Sequence, residues 1–226
     1  MNRMTLTRAF FLLLSAAGIA AVIAPNAMPR TYRLQSEAIR EAYFLGASTD
    51  GHTLAKFFRK YVHDFPCPDN GTCVASIELE TPYVQIVEAT KSHWGNYTEQ
   101  DAEKDYSAHP PAVILNVGIT FSLNYSGPTT IYMADGDAAA DSGDTYFYGF
   151  QFHVTQGGVL NPQKVSEQYS DLGGGELGDG CLGCVNENRV YLEFAPAQLG
   201  SGVIHIDVTS PEGKTVSAEF DLDQLK

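Results

Sequence analysis

At Pro110-Pro111 the hydrophobic period of this chain changes, and that change limits the fold more than any other feature. Upstream, apolar side chains recur at the three-and-four spacing of amphipathic helices. Downstream they alternate residue by residue, as strands do. This chain puts helical patterns before the prolines and a run of strands after them, with no helical pattern between those strands. It belongs to the α+β class, with helices segregated from an antiparallel sheet.

Upstream of the prolines, Leu34, Ala38, Ile39, Ala42, Tyr43 and Leu45 mark one helical face, which Gly46 can end. Leu54, Phe57, Phe58, Tyr61 and Val62 mark a second, with Asp50 or Thr53 as its cap and Pro66 closing it, and the two are expected to form a helical hairpin. Cys73 to Glu80 then alternates Ala75, Ile77 and Leu79 with Ser76, Glu78 and Glu80, the period of a half-buried strand. Thr81-Pro82 pairs a hydroxyl cap with proline at the first helical position. Thr98 with Asp101 three residues on reads as a capping box opening a helix to about Ser107.

After the prolines, Val113, Leu115, Val117, Ile119, Phe121 and Leu123 give the clearest strand. Others read at Thr129 to Met133, Thr145 to Thr155, Lys164 to Tyr169, Arg189 to Phe194, Gly202 to Thr209 and Lys214 to Leu222, the last two joined by the turn Ser210-Pro211-Glu212-Gly213. Such a run of short strands predicts an immunoglobulin-like antiparallel β-sandwich over residues 112–226, with the helical segment 25–111 packed on it as one unit. The buried tryptophan and inter-sheet cysteine pair of antibody domains are missing, because Trp94 and the four cysteines fall elsewhere.

Residues 1–24 combine a basic start, Arg3 and Arg8, with an apolar run from Ala9 to Ala24. As a helix this run reaches only ~24 Å, short of the ~30 Å hydrocarbon core, so a cleaved signal peptide is favoured over a permanent anchor. The small-residue pair Val22 and Ala24 makes a poor cleavage site with Pro25 after it, which keeps the N-terminal anchor as the alternative. The expected location is the periplasm or the exterior, with membrane contact only through an uncleaved N-terminal segment. The net charge is −13, and residues 112–226 carry 4 basic against 15 acidic residues, a surface that repels nucleic acid and anionic lipid.

The run Arg40-Glu41-Ala42-Tyr43-Phe44-Leu45-Gly46, set between the export signal and the strand-rich half, resembles an uncharacterised family of exported bacterial proteins. The resemblance implies an envelope location and brings no activity or site residue with it.

Four cysteines form two close pairs, Cys67 with Cys73 and Cys181 with Cys184, which in an exported chain are expected as two local disulfides. Pro68, Asp69, Asn70 and Gly71 are turn formers that bring Cys73 back to Cys67. The rivals are crossed bridges, a redox pair at Cys181, and a four-cysteine zinc site. Asp135, Asp137, Asp141 and Asp144 lie within ten residues and offer the oxygen ligands that calcium takes, although the spacing departs from an EF-hand, and a solvated turn is the competing explanation. No cofactor is otherwise implied.

His52, His63, His93, His109, His153 and His205 make no His-Glu-x-x-His pair, and neither Ser48 nor Ser201 sits in a nucleophile elbow. The glycine-rich stretch 172–183 carries Glu176 and Asp179 where a phosphate cradle needs a basic side chain. These readings favour a non-catalytic binding or structural module of the cell envelope, facing an envelope protein or glycan. An envelope hydrolase with an unrecognised site is the alternative. A concave pocket with convergent polar groups of shifted pKa would favour the enzyme, and an aromatic patch would favour binding.

Overall fold

The computed structural model describes residues 33–68, 72–93, 95–109, 111–121, 145–147, 149–170 and 186–226. They form four helices and nine strands in a mixed α+β arrangement. The helices are α1 (Ser36–Gly46), α2 (Gly51–Phe58), α3 (Pro82–Ser92) and α4 (Glu99–Ala108). The strands are β1 (Val62–Asp64), β2 (Thr72–Glu80), β3 (Val113–Phe121), β4 (Thr145–Phe147), β5 (Phe150–Thr155), β6 (Lys164–Ser170), β7 (Asn186–Phe194), β8 (Val203–Thr209) and β9 (Thr215–Asp221).

Two antiparallel sheets result, one ordered β1-β2-β3-β7-β6 and the other β4-β5-β8-β9. The larger sheet runs across the Pro110-Pro111 boundary, because β2 pairs with β3 from Thr72↔Phe121 to Glu80↔Ile114. Both sheets feed one hydrophobic cluster. Ile77, Leu79, Leu115, Val117, Val190 and Leu192 come from the first, and Phe150, Phe152, Ile204, Ile206, Val208 and Phe220 from the second. A second cluster joins Ile39, Ala42, Leu54, Tyr83, Ile86, Val87 and Ala102 among the helices, while Phe57 and Phe58 touch both.

The local signals act as their chemistry requires. Thr81 Oγ1 accepts from Val84 N–H at 3.4 Å, with Pro82 opening α3. Thr98 and Asp101 make both bonds of the capping box on α4. Asp50 caps α2 by accepting from His52 N–H at 3.0 Å. In the last turn, Gly213 has φ 78° and its N–H closes on Ser210 O at 2.9 Å.

Four expectations are corrected. The second helix ends at Phe58 instead of running through Val62, since Val62 pairs with Glu78 as the first residue of β1 and strand pairing overrides the helical spacing of Tyr61 and Val62. The helical hairpin is also different, as α1 packs mainly against α3 and α4, with Leu34 N–H donating to Tyr106 Oη at 2.7 Å and Tyr43 O–H to Tyr97 O at 3.2 Å. Within β2 the register shifts between Val74 and Ser76, so Val74 rather than Ala75 is buried ahead of Ile77 and Leu79. Finally, Thr145 to Thr155 is two strands, folded back at Gly149 with φ 78° so that Phe147 faces Phe150. The strand expected at Thr129 to Met133 lies outside the described residues.

Candidate functional site

Strand alternation places Ile77, Leu79, Leu115, Val117, Val190 and Leu192 on the core side of the five-stranded sheet, which puts Glu78, Glu80, Asn116, Arg189 and Tyr191 on the opposite face. Register brings them together: Glu78 is opposite Asn116, and Asn116 is opposite Tyr191. Arg189 Nη1 donates to Glu78 Oε1 at 3.1 Å, an ion pair reaching from β7 over β3 to β2. Asn116 lies between them, 3% exposed, with Nδ2 donating to Glu80 Oε1 at 2.9 Å and to Glu78 Oε2 at 3.4 Å.

Helix α3 brings Glu88 to this face. Burial pushes the Glu88 carboxyl up to about 7, and the neighbouring carboxyl groups of Glu80 and Glu78 add to the rise against the opposing pull of Lys91 and Arg189. Burial likewise raises Glu80, assisted by Glu78 and opposed by its bond from Asn116 and by Arg189. Tyr191 is raised by burial first and by Glu80 next, and its hydroxyl donates to Gln168 Oε1 at 3.1 Å.

A cavity of about 430 Å³ opens beside this cluster, lined by Phe58, Val62, Glu78, Glu88, Lys91 and Ser92. Lys91 Nζ lies 5.5 Å from the centre of the Phe58 ring. The cavity therefore offers an aromatic wall, two carboxyl groups, a hydroxyl and an ammonium, a mixture suited to polar ligands with an apolar side.

The residues singled out from the sequence lie elsewhere. Cys67 and Cys73 form a disulfide with their Cα atoms 5.7 Å apart, and it ties the start of β2 to the segment after β1. Cys181 and Cys184, like Asp135, Asp137, Asp141 and Asp144, lie outside the described residues. His153 and His205 sit on β5 and β8, where His205 Nδ1 is 3.0 Å from Glu219 Oε1. Ser48 Oγ accepts from Asp50 N–H at 3.2 Å in the turn before α2. Among the described residues no three His, Cys, Asp or Glu side chains are grouped to hold a metal ion, and no helix is long and apolar enough to cross a membrane.

Glu78, Glu80, Glu88, Asn116 and Arg189 carry no signature in the sequence that marks them as a site. The alternation of Cys73 to Glu80 puts Glu78 and Glu80 on the face away from the core, but nothing local shows that α3 packs against that face. The available signal was the Glu-x-Glu pair at the end of a strand followed directly by a helix carrying Glu88, together with Asn116 inside the most apolar strand of the chain. No family model matches this chain, and comparison with curated proteins and with solved structures finds no match.

Proposed function

We propose that this protein is an exported module of the cell envelope, periplasmic or secreted, that binds glycan in the cavity between α3 and the polar face of the five-stranded sheet. The supporting observation is Glu88: a half-buried carboxyl on a cavity wall, with no hydrogen bond to any described residue. Such a group faces the cavity with its acceptors open, and sugar hydroxyls can donate to them. Glu78 and Ser92 add acceptors on the same wall, and Phe58 provides an apolar surface of the kind a pyranose ring covers. The basic start and short apolar run of residues 1–24, read as a signal peptide, and the resemblance of the Arg40–Gly46 run support the location. The two sheets sharing one core support an immunoglobulin-like sandwich with the helices packed on it.

Binding of the purified mature protein to isolated envelope polysaccharide tests this reading. Glu88→Ala and Phe58→Ala should each weaken binding about tenfold, equivalent to ~1.4 kcal/mol, whereas the exposed turn variant Glu212→Ala should not. Equal binding by all three, or retention of envelope proteins with no glycan, overturns it.

A hydrolase is the second reading, and the polar groups converging on a cavity with a pKa-shifted carboxyl are the observation that favours it. Glu88, raised to about 7, is suited to protonate a leaving group, and Glu78 is a second carboxylate on the same cavity wall. Release of soluble sugar fragments by the wild type, lost in Glu88→Gln while binding persists, would establish it in place of simple binding.

A further inference from the structure

The Asn116 amide is buried, and its two ends are treated unequally. Nδ2 is engaged by Glu80 Oε1 and Glu78 Oε2, but no donor of the described residues reaches Oδ1. The neighbouring donors are directed elsewhere: Tyr191 O–H to Gln168, Gln85 Nε2 to the carbonyls of Glu80 and Ala112, and Ser76 O–H towards Glu78. A buried amide oxygen without a donor is costly and rare in folded proteins. A proton on the carboxyl that already accepts from the same amide supplies the missing donor.

We infer that Glu80 and Asn116 are joined as a cyclic acid–amide pair, in which Asn116 Nδ2 donates to Glu80 Oε1 and the Glu80 Oε2–H donates to Asn116 Oδ1. The surroundings favour the neutral acid. Glu80 is only 9% exposed, and the groups facing it are Glu78 on its own strand, Asn116 on β3, Arg189 and Tyr191 on β7, and Glu88 on α3, whose own neighbour is Lys91. Arg189 is committed to Glu78 through the 3.1 Å ion pair, and no ion pair joins Glu80 to a cation among the described residues. Burial and the Glu78 charge both push the Glu80 carboxyl towards its protonated form.

The pair makes Glu80 a positioning residue. By fixing which way the amide faces, it holds the other Nδ2 hydrogen on Glu78 Oε2, and Glu78 lines the glycan cavity. Loss of the Glu80 proton would leave two carboxylates two residues apart on one face of β2, remove the donor to Oδ1 and free the amide to turn. The effect on glycan binding rests on the function proposed above; the pairing itself does not.

Carbon-13 NMR of the full mature protein, labelled at glutamate carboxyls and with Glu80 assigned through Glu80→Gln, tests the pair directly. The Glu80 carbon should show the neutral-acid shift at neutral pH and move to the carboxylate shift only on alkaline titration. Glutamine at 80 can both donate to Oδ1 and accept from Nδ2, so Glu80→Gln should keep the wild-type melting temperature, and Glu80→Leu should lower it. A carboxylate shift at neutral pH, or a Gln variant as unstable as the Leu variant, overturns the pair. If Glu80→Leu does not fold, the wild-type titration still decides. Absence of glycan binding by the wild type sinks the proposed function while leaving this titration to stand or fall by itself.

Discussion

Gly46, the last residue of α1, lies against the main chain of α3 so closely that a β-carbon built on it would overlap Val87 O and stand 2.8 Å from Thr90 Cβ. The Val87 contact is main chain, which cannot rotate away. Gly46→Ala should therefore push α1 off α3 and cost about 1–3 kcal/mol, read as a lower midpoint in urea. At Gly51 the same added methyl meets nothing within 4 Å, so Gly51→Ala is the control and should be close to neutral. Equal midpoints for the two variants would show that α1 does not approach α3 in this way.

Glu88 makes stability fall with rising pH. Its carboxyl is raised from 4.5 to about 7, so between those values the folded state keeps a proton that the unfolded chain has released. The stabilisation is complete below about pH 4.5 and lost as pH rises through about 7. After discounting for partial exposure, the loss should be on the order of 1–2 kcal/mol. Denaturation midpoints on the two sides of this window measure it. Glu88→Gln should flatten the slope, leaving the part that belongs to Glu80, and an unchanged slope would show that Glu88 titrates normally.

The Cys67–Cys73 bridge closes a seven-residue loop. Chain-entropy arithmetic for a loop of that length gives ~2.4 kcal/mol, so Cys67→Ser with Cys73→Ser should destabilise by about that amount without changing the fold. Equilibrium unfolding of the variant beside the oxidised wild type checks it. A loss near zero would mean that the turn is equally well formed without the bond.

The capping box on α4 is worth about 1 kcal/mol by the usual cost of losing a hydroxyl cap. Thr98→Ala should show that loss in thermal melts and Thr98→Ser should recover most of it. Because α4 packs on α1, faster amide exchange in Thr98→Ala should spread from Glu99 to the α1 side of the helical cluster.

Elements with chemistry confined to a few neighbouring residues were legible in the sequence. Thr81-Pro82, Thr98 with Asp101, and Pro211 with Gly213 each act through bonds spanning three residues or fewer, and each forms the cap or turn that its spacing predicts. Tyr61 and Val62 continue the helical spacing of α2, and only the partner Glu78, sixteen residues on, makes Val62 a strand residue. The turn at Gly149 was hidden because aromatic residues flank it on both sides and imitate one continuous strand. The candidate site was the least legible part. Glu78, Glu88, Asn116 and Arg189 come from four elements, and their meaning depends on burial that no single segment encodes.

The placement of β3 bears on how this chain can be made. Val113–Phe121 is hydrogen-bonded on one side to β2, already synthesised, and on the other to Asn186–Phe194, still some sixty-five residues away. A nascent or truncated chain that stops short of β7 exposes an open strand edge flanked by Val113, Leu115, Val117 and Ile119, a template for self-association rather than a folding intermediate at rest. That edge is closed only when the second half arrives and β7 pairs along β3.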